Sequence, residues 1–326
     1  MTTQIKVIDA LSKEEPGTKT TGSMKVGGTA ASPIDLPIIT VNGLKEGPTL
    51  CLIAGIHGCE YSGIETVIRL TGELDPEKLC GRVVAVPVAN KPAFTSRVPY
   101  VCPIDGINLN RIFPGNPTGS ISYRLAHVLF NNVILKSNFL IDIHGADLPE
   151  ELPPRGLVIL QEKGNEETRR ISENLANFFD SEYVLVSEID GTCVGESCKV
   201  GIPALAPEAD GAGRIEENAV LFYKNGILNV MKHLGMIKGV PQKSRSKKRI
   251  YRLHAVRAEQ GGLFYPKCRA GEIVSKGDRV GEVRNLYGHV EERVLAPIHG
   301  LVTIRMTNLT VNSGDVVLFL GELEAK

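Results

Sequence analysis

Residues 48–60 read PTLCLIAGIHGCE, an apolar run that ends in a glycine-flanked corner carrying His57 and Glu60. The run over 49–56 is apolar at nearly every position, as in a central strand covered by helices on both faces. Its end is polar, so one strand presents two donor side chains at the sheet edge where open α/β sheets place their sites. A hydrolytic zinc site takes three His or carboxylate ligands and keeps a fourth position open. His57 and Glu60 supply two candidates, and the third must come from elsewhere in the chain.

Outward from this strand the pattern repeats. LPIITV (36–41), RVVAVPV (82–88), FLIDI (139–143), GLVIL (156–160), YVLV (183–186) and IPALAPE (202–208) are further strand candidates. Helical periodicity covers 61–71, 120–136, 165–179 and 214–235, with Leu125, Val128 and Leu129 on one face of the second. Strands alternating with helices predict an α/β domain on a mixed sheet, over residues 1–237.

Two of these strand ends carry chemistry. NFLIDIHGAD (138–147) closes an apolar strand with His144, which joins His57 and Glu60 if the two strands are neighbours. GIPALAPEADGAG (201–213) ends a strand with Glu208, which fits a general base beside the metal or an acid facing solvent. Between them, PIDGINLNRIFPG (103–115) bears Asn110 and Arg111, either an anion clamp or a salt bridge holding a long loop. His127 and His233 read as helix residues, and His254, His289 and His299 as turn or surface residues of the last segment.

KGVPQKSRSKKRI (238–250) holds six Lys or Arg and no acid, and reads as a solvated linker in preference to a nucleic-acid patch, since it lacks interleaved aromatics. Beyond it, residues 251–326 turn all-β and repeat themselves. VSKGDRV (274–280) and VNSGDVV (311–317) share V-x-x-G-D-x-V, in which the glycine sets a tight turn and the aspartate closes it. The repeat is similar to the barrel-sandwich scaffold of biotinyl and lipoyl carriers, without their modified lysine. Lys plus Arg and Asp plus Glu both total 37, so no overall attraction to nucleic acid or an anionic membrane is expected. The first residues, MTTQIKVIDALSKEEPG, lack a signal peptide's pattern, and the seven scattered cysteines suit free thiols, so a cytoplasmic protein is expected.

Together G-x-H-G-x-E (55–60), N-L-N-R-x-F-P-G (108–115), D-x-H-G (142–145) and the glutamate after P-A-x-x-P (203–208) resemble the succinylglutamate desuccinylase/aspartoacylase family, relatives of the zinc carboxypeptidases. The resemblance implies a carboxypeptidase-like fold and one zinc ion per chain on His57, Glu60 and His144. It implies Glu208 as general base and then acid, and Asn110 with Arg111 on a substrate carboxylate. The family's further arginine has no exact counterpart in SRVPYVCPIDG (96–106): Arg97 comes early, and Arg155 is the other candidate to polarise the scissile carbonyl. The expected activity is hydrolysis of a small N-acyl amino acid, with a carboxypeptidase and a non-catalytic binder as alternatives. Expected partners are the small substrate and, compatibly with such a sheet, a second copy of the chain. The acids of ADLPEELPPR (146–155) suit a pocket rim for a cationic substrate or simply a solvated loop.

Overall fold

The computed structural model describes residues 6–7, 15–244 and 247–323; most of the amino-terminal stretch and Arg245 and Ser246 of the basic segment lie outside the described residues. One long mixed sheet forms the centre. Across it run the strands Thr18–Gly28, Pro33–Asn42, Cys80–Val86, Lys45–Ala54, Phe139–Ile143, Ala204–Glu208, Leu157–Gln161 and Tyr183–Ser187. Lys45–Ala54 is flanked in parallel by Cys80–Val86 and Phe139–Ile143, so the chain leaves it first to one side and then to the other. That reversal opens a crevice at the carboxyl ends of the central strands.

The apolar run of 48–60 is buried on both faces because its residues alternate between two cores. Leu50, Leu52 and Ala54 join Ile64, Val67 and Leu70 of helix Tyr61–Glu73 and Tyr223, Ile227 and Val230 of helix Glu217–His233. Cys51 and Ile53 face the other way, toward Leu125, Ala126 and Leu129 of helix Ile121–Asn132. Helix Glu166–Ala176 completes the first layer and helix Cys193–Lys199 the second. All seven cysteines are free, and all but Cys80 are buried.

The strands and helices expected from the sequence are present within a few residues, and further elements join them, among them the six-residue helix Lys91–Ser96 and the two-residue strand Glu150–Glu151. The strand Thr18–Gly28, paired along its length with Pro33–Asn42, was not anticipated, and neither was the seven-residue helix Cys193–Lys199. The V-x-x-G-D-x-V units form as expected. Gly277 and Gly314 take φ of 90° and 91°, and Asp278 and Asp315 each accept from the backbone amide three residues earlier, Ser275 and Asn312, at 2.8 Å.

The all-β part is joined to the main sheet through its own strand. Lys248–Arg257 begins inside the stretch read as linker and pairs in parallel with Tyr183–Ser187, so the sheet continues through Val316–Leu323 and Gly300–Met306 to Ile273–Val274. A second sheet, Val290–Leu295, Arg279–Arg284, Gly262–Pro266 and Thr310–Val311, packs over the first. Their shared core holds Val256, Val302 and Leu318 from one sheet and Phe264, Val280 and Val294 from the other. Among the described residues no helix is long and apolar enough to cross a membrane.

Candidate metal centre and active site

Three neighbouring strands deliver the site. Leu52 pairs with Ile141 and Ala54 with Ile143, and Ala204 and Leu205 pair with Leu140 and Ile141. The strands Lys45–Ala54, Phe139–Ile143 and Ala204–Glu208 therefore end side by side, and His57, His144 and Glu208 follow at one edge. His144 and Glu208 themselves form an isolated parallel bridge. The corner after Ile56 is tight: a Cβ at Gly58 would stand 2.3 Å from the Phe94 amide nitrogen, so only glycine lets helix Lys91–Ser96 close against it.

One donor atom from each of His57, Glu60 and His144 lies within 4.8 Å of the others. His57 Nδ1 is 2.7 Å from Glu60 Oε1, and His144 Nδ1 is 3.0 Å from Glu60 Oε2. The far ring nitrogens are held by partners: His57 Nε2 donates to Asn108 Oδ1 (3.3 Å) and His144 Nε2 to Asp142 Oδ2 (3.0 Å). This assignment leaves both Nδ1 atoms facing the carboxylate, the orientation that metal-binding imidazoles acquire from such outer partners. Glu60 Oε2 is buried with the His144 ring nitrogen beside it and lacks a well-aligned hydrogen bond, an arrangement that a cation between the three side chains would satisfy. Glu60 occupies the N-cap of helix Tyr61–Glu73 but makes no cap bond, because its carboxylate is engaged with the imidazoles.

Electrostatics bind the three together. Burial works against the Glu60 carboxylate, yet His144 and His57 hold it down to about 2. Burial also works against charged imidazole, but Glu60 raises His57, and Asp142 with Glu60 raises His144 well above the ordinary range. The carboxylates thus favour positive charge at both imidazoles against their burial. His57 keeps 13% of its side chain exposed against 3% for Glu60 and His144, so the centre is open on one side.

Glu208 stands one strand beyond His144, partly exposed, and loss of hydration lifts its carboxyl to about 7. Tyr223, fully buried, fastens this edge: its phenol oxygen accepts from the Ala209 amide (2.7 Å) and donates to the His144 carbonyl (2.5 Å). Asn110 Oδ1 accepts from the Cys193 amide (2.8 Å), which turns its Nδ2 to within 3.4 Å of His144 Nε2. Arg111 donates to the Asn110 carbonyl (2.7 Å), and among the described residues no carboxylate forms an ion pair with it.

The family model of the succinylglutamate desuccinylase/aspartoacylase catalytic domain matches residues 46–234, which carry all of these side chains. The chain belongs to the succinylglutamate desuccinylase/aspartoacylase family. Among its relatives is an N-alpha-acetyl-L-2,4-diaminobutyric acid deacetylase of Halomonas elongata, 29% identical over 300 residues that span 87% of this chain and 85% of the relative. The product-bound structure of the ectoine utilization protein EutE (DoeB) from Ruegeria pomeroyi superposes with a TM-score of 0.85 at 25% identity, covering 93% of this chain and 95% of that one. A succinylglutamate desuccinylase/aspartoacylase from Rhodobacter sphaeroides also reaches 0.85, at 27% identity and 97% and 99% coverage.

In this desuccinylase/aspartoacylase chain neither of the two arginines offered for the scissile carbonyl bonds His57, Glu60 or His144 among the described residues. Arg97 is exposed at the end of helix Lys91–Ser96 with a left-handed φ of 55°, where its charge is felt by Tyr61. Arg155 pairs with Glu182 (2.9 Å) and Asp180 (3.7 Å) on the surface. His127 bonds Asn131, His233 bonds Asn174 and His254 pairs with Glu322, all in structural roles.

Asp142, Asn108 and Tyr100 escaped the sequence reading. Asp142 was legible in D-x-H, since residues two apart on an extended chain share a face. Asn108 lies in the N-L-N-R motif, but nothing in the sequence tied it to His57. Tyr100 carried no signal. Its ring meets His57 edge-on at 6.3 Å, its hydroxyl donates to Glu150 (2.8 Å) and its amide to Asp147 (2.7 Å). Burial raises both of those carboxyls.

Proposed function

We propose that this chain is a zinc-dependent deacylase that hydrolyses the amide bond of a small N-acyl amino acid, and that an N-acetylated diamino acid lies within its substrate class. The observation that carries the reading is the meeting of His57, Glu60 and His144 at adjacent strand ends with Glu208 one strand beyond. The donor set of two imidazoles and a carboxylate with one open side is that of a hydrolytic zinc centre. Zinc held there supplies Lewis acidity toward water and an amide carbonyl.

The chain's own residues do the rest. Asp142 and Asn108 fix the imidazole rings and so the direction of both Nδ1 atoms. Glu208, with its carboxyl near neutrality, takes a proton from attacking water at its carboxylate oxygen and delivers it to the leaving amine. Arg111, which forms no ion pair among the described residues, and the Asn110 amide bind the substrate carboxylate, and Arg97 adds positive charge. Asp147 and Glu150 place two carboxyls in the same neighbourhood, raised by burial, which a second, cationic amine would draw into their charged form. The diaminobutyric acid deacetylase relative supports that choice.

Elemental analysis of the purified chain is expected to give one zinc per molecule, lost in His144→Ala. A panel of N-acyl amino acids should then be turned over, with Glu208→Gln lowering kcat by roughly 10²–10⁴ while zinc is retained. Absence of bound zinc after supplementation sinks the hydrolase reading. Full activity of Glu208→Gln removes the proton-transfer role, and steady turnover of long peptides would replace the deacylase with a carboxypeptidase.

A further inference from the structure

The segment that leaves His144 does not lie free over the crevice; the all-β part grips it along its length. Glu150 and Glu151 form a short strand antiparallel to Gly300–Met306, with Arg305 opposite Glu151 and Met306 opposite Glu150. The Thr307 amide extends this ladder to the Pro149 carbonyl at 2.8 Å. Ala146 and Leu152, at either end of the segment, pack in one apolar cluster with Leu301 and Ile304. The Arg305 guanidinium binds Glu151 through two nitrogens, Nε at 2.6 Å and Nη2. That pair is partly shielded, the side chains being 20% and 38% exposed, so it is stronger than an open surface pair.

From Glu151 the connection to the metal centre takes two further steps. Glu150 Oε1 accepts from the Tyr100 hydroxyl, and Glu150 Oε2 accepts from the Asp147 amide at 3.3 Å. Asp147 Oδ2 accepts from the Tyr100 amide, and its carbonyl accepts from the Ala212 amide at 3.2 Å. Tyr100 is held at a left-handed φ of 61° by these bonds, and its ring borders His57. None of Asp147, Glu150 and Tyr100 bonds His57, Glu60 or His144, so the network shapes the crevice wall without holding the donors.

We infer that Arg305 is a positioning residue for the crevice: by fixing Glu151 it sets the register of residues 147–151, and through Glu150 and Asp147 it fixes Tyr100 against His57. The all-β part thereby acts on substrate fit in the proposed deacylase, and the kinetic arm below rests on that reading. Arg305 touches no reacting group, so its loss leaves the metal and proton transfer intact and loosens the wall.

The test uses the full-length, zinc-supplemented chain with Arg305→Ala, Arg305→Lys and Glu151→Gln. Amide hydrogen exchange is followed in peptides covering 97–102, 145–152 and, as a control, 121–132. Arg305→Ala and Glu151→Gln are expected to speed exchange roughly tenfold in the first two and not in the control, with Arg305→Lys partly restoring protection. On an N-acyl amino acid the same two variants raise KM about tenfold with kcat within about twofold, and zinc content stays at the wild-type level. Unchanged exchange at 97–102 and 145–152 in both variants overturns the inference, as does a fall in kcat alone with KM unmoved. Should Arg305→Ala fail to fold, Glu151→Gln, which keeps the side-chain shape, carries the same test. If the wild-type chain turns over no N-acyl amino acid, the proposed activity fails while the exchange data still decide the role of Arg305.

Discussion

At Tyr223 one phenol oxygen meets main-chain groups from two of the strand ends that build the site, the His144 carbonyl and the Ala209 amide and carbonyl. The hydroxyl is the only part of that side chain that can satisfy them, because the ring is enclosed among Ala219, Ile227 and the first core. Tyr223→Phe strips the partner from a buried amide and carbonyl, which costs about 1–3 kcal/mol per group left unpaired. Urea unfolding is expected to show that loss in the midpoint with the slope unchanged. A Phe variant as stable as wild type would mean that the strand ends hold each other without the phenol.

At the scale of elements, the loop bearing Asn108, Asn110 and Arg111 is fastened to helix Ile121–Asn132 by one carboxylate. Asp105 accepts from the Ser122 amide (2.9 Å), the Ser122 hydroxyl (2.8 Å) and the Ser120 hydroxyl (2.6 Å) at the helix N-terminus. Burial opposes its charge, but these bonds outweigh it and hold the carboxyl below its ordinary value of 3.8. A carboxyl depressed on folding contributes stability that is present above the unfolded value and fades as pH falls through the folded one. Asp105→Ala is therefore expected to cost about 1–2 kcal/mol at neutral pH, with the gap to wild type shrinking below about pH 4. Denaturation curves at pH 7 and pH 3 check it; an equal gap at both would show that the charge is not what fastens the loop.

Elements differ in how plainly the chain announces them. Residues 50–54 of Lys45–Ala54 and most of Phe139–Ile143 are legible because both faces are buried there, so apolar residues follow one another without alternation. Thr18–Gly28 is hidden by its place near the sheet edge: TKTTGSMKVGG buries only three of its residues. Helix Cys193–Lys199 is too short to show a period, and its start is fixed by Thr192 and by Asn110 from far along the chain. His57, Glu60, His144 and Glu208 were readable as polar endings of apolar strands. Their supports were not: Asn108 reaches His57 across 51 residues and Arg305 reaches Glu151 across 154, distances at which no local pattern speaks.

For the whole molecule, the continuous sheet makes the boundary near residue 250 weaker than the change of composition suggests. Tyr183–Ser187 takes Lys248–Arg257 as its neighbour, and Tyr183, Leu185, Ile250 and Leu301 share one core. Separating the two parts would strip that strand of its partner and expose the cluster. Calorimetry is therefore expected to record one cooperative transition, with the calorimetric and van't Hoff enthalpies in agreement. Two resolved transitions would show that the parts fold independently despite the shared ladder.

The burial of the thiols has a practical consequence at the same scale. The chain has no tryptophan, so the usual fluorescence signal of unfolding is missing, but six of its seven cysteines are shut inside the native fold. Alkylating reagents attack thiolate, and burial both blocks their approach and raises the thiols of Cys51, Cys193 and Cys198. A molecule that opens under heat, denaturant or loss of metal gains mass labels in proportion to the cores that have opened. Cys51, Cys193 and Cys198 report the α/β part and Cys268 the all-β part, so a single cooperative opening would label all four together.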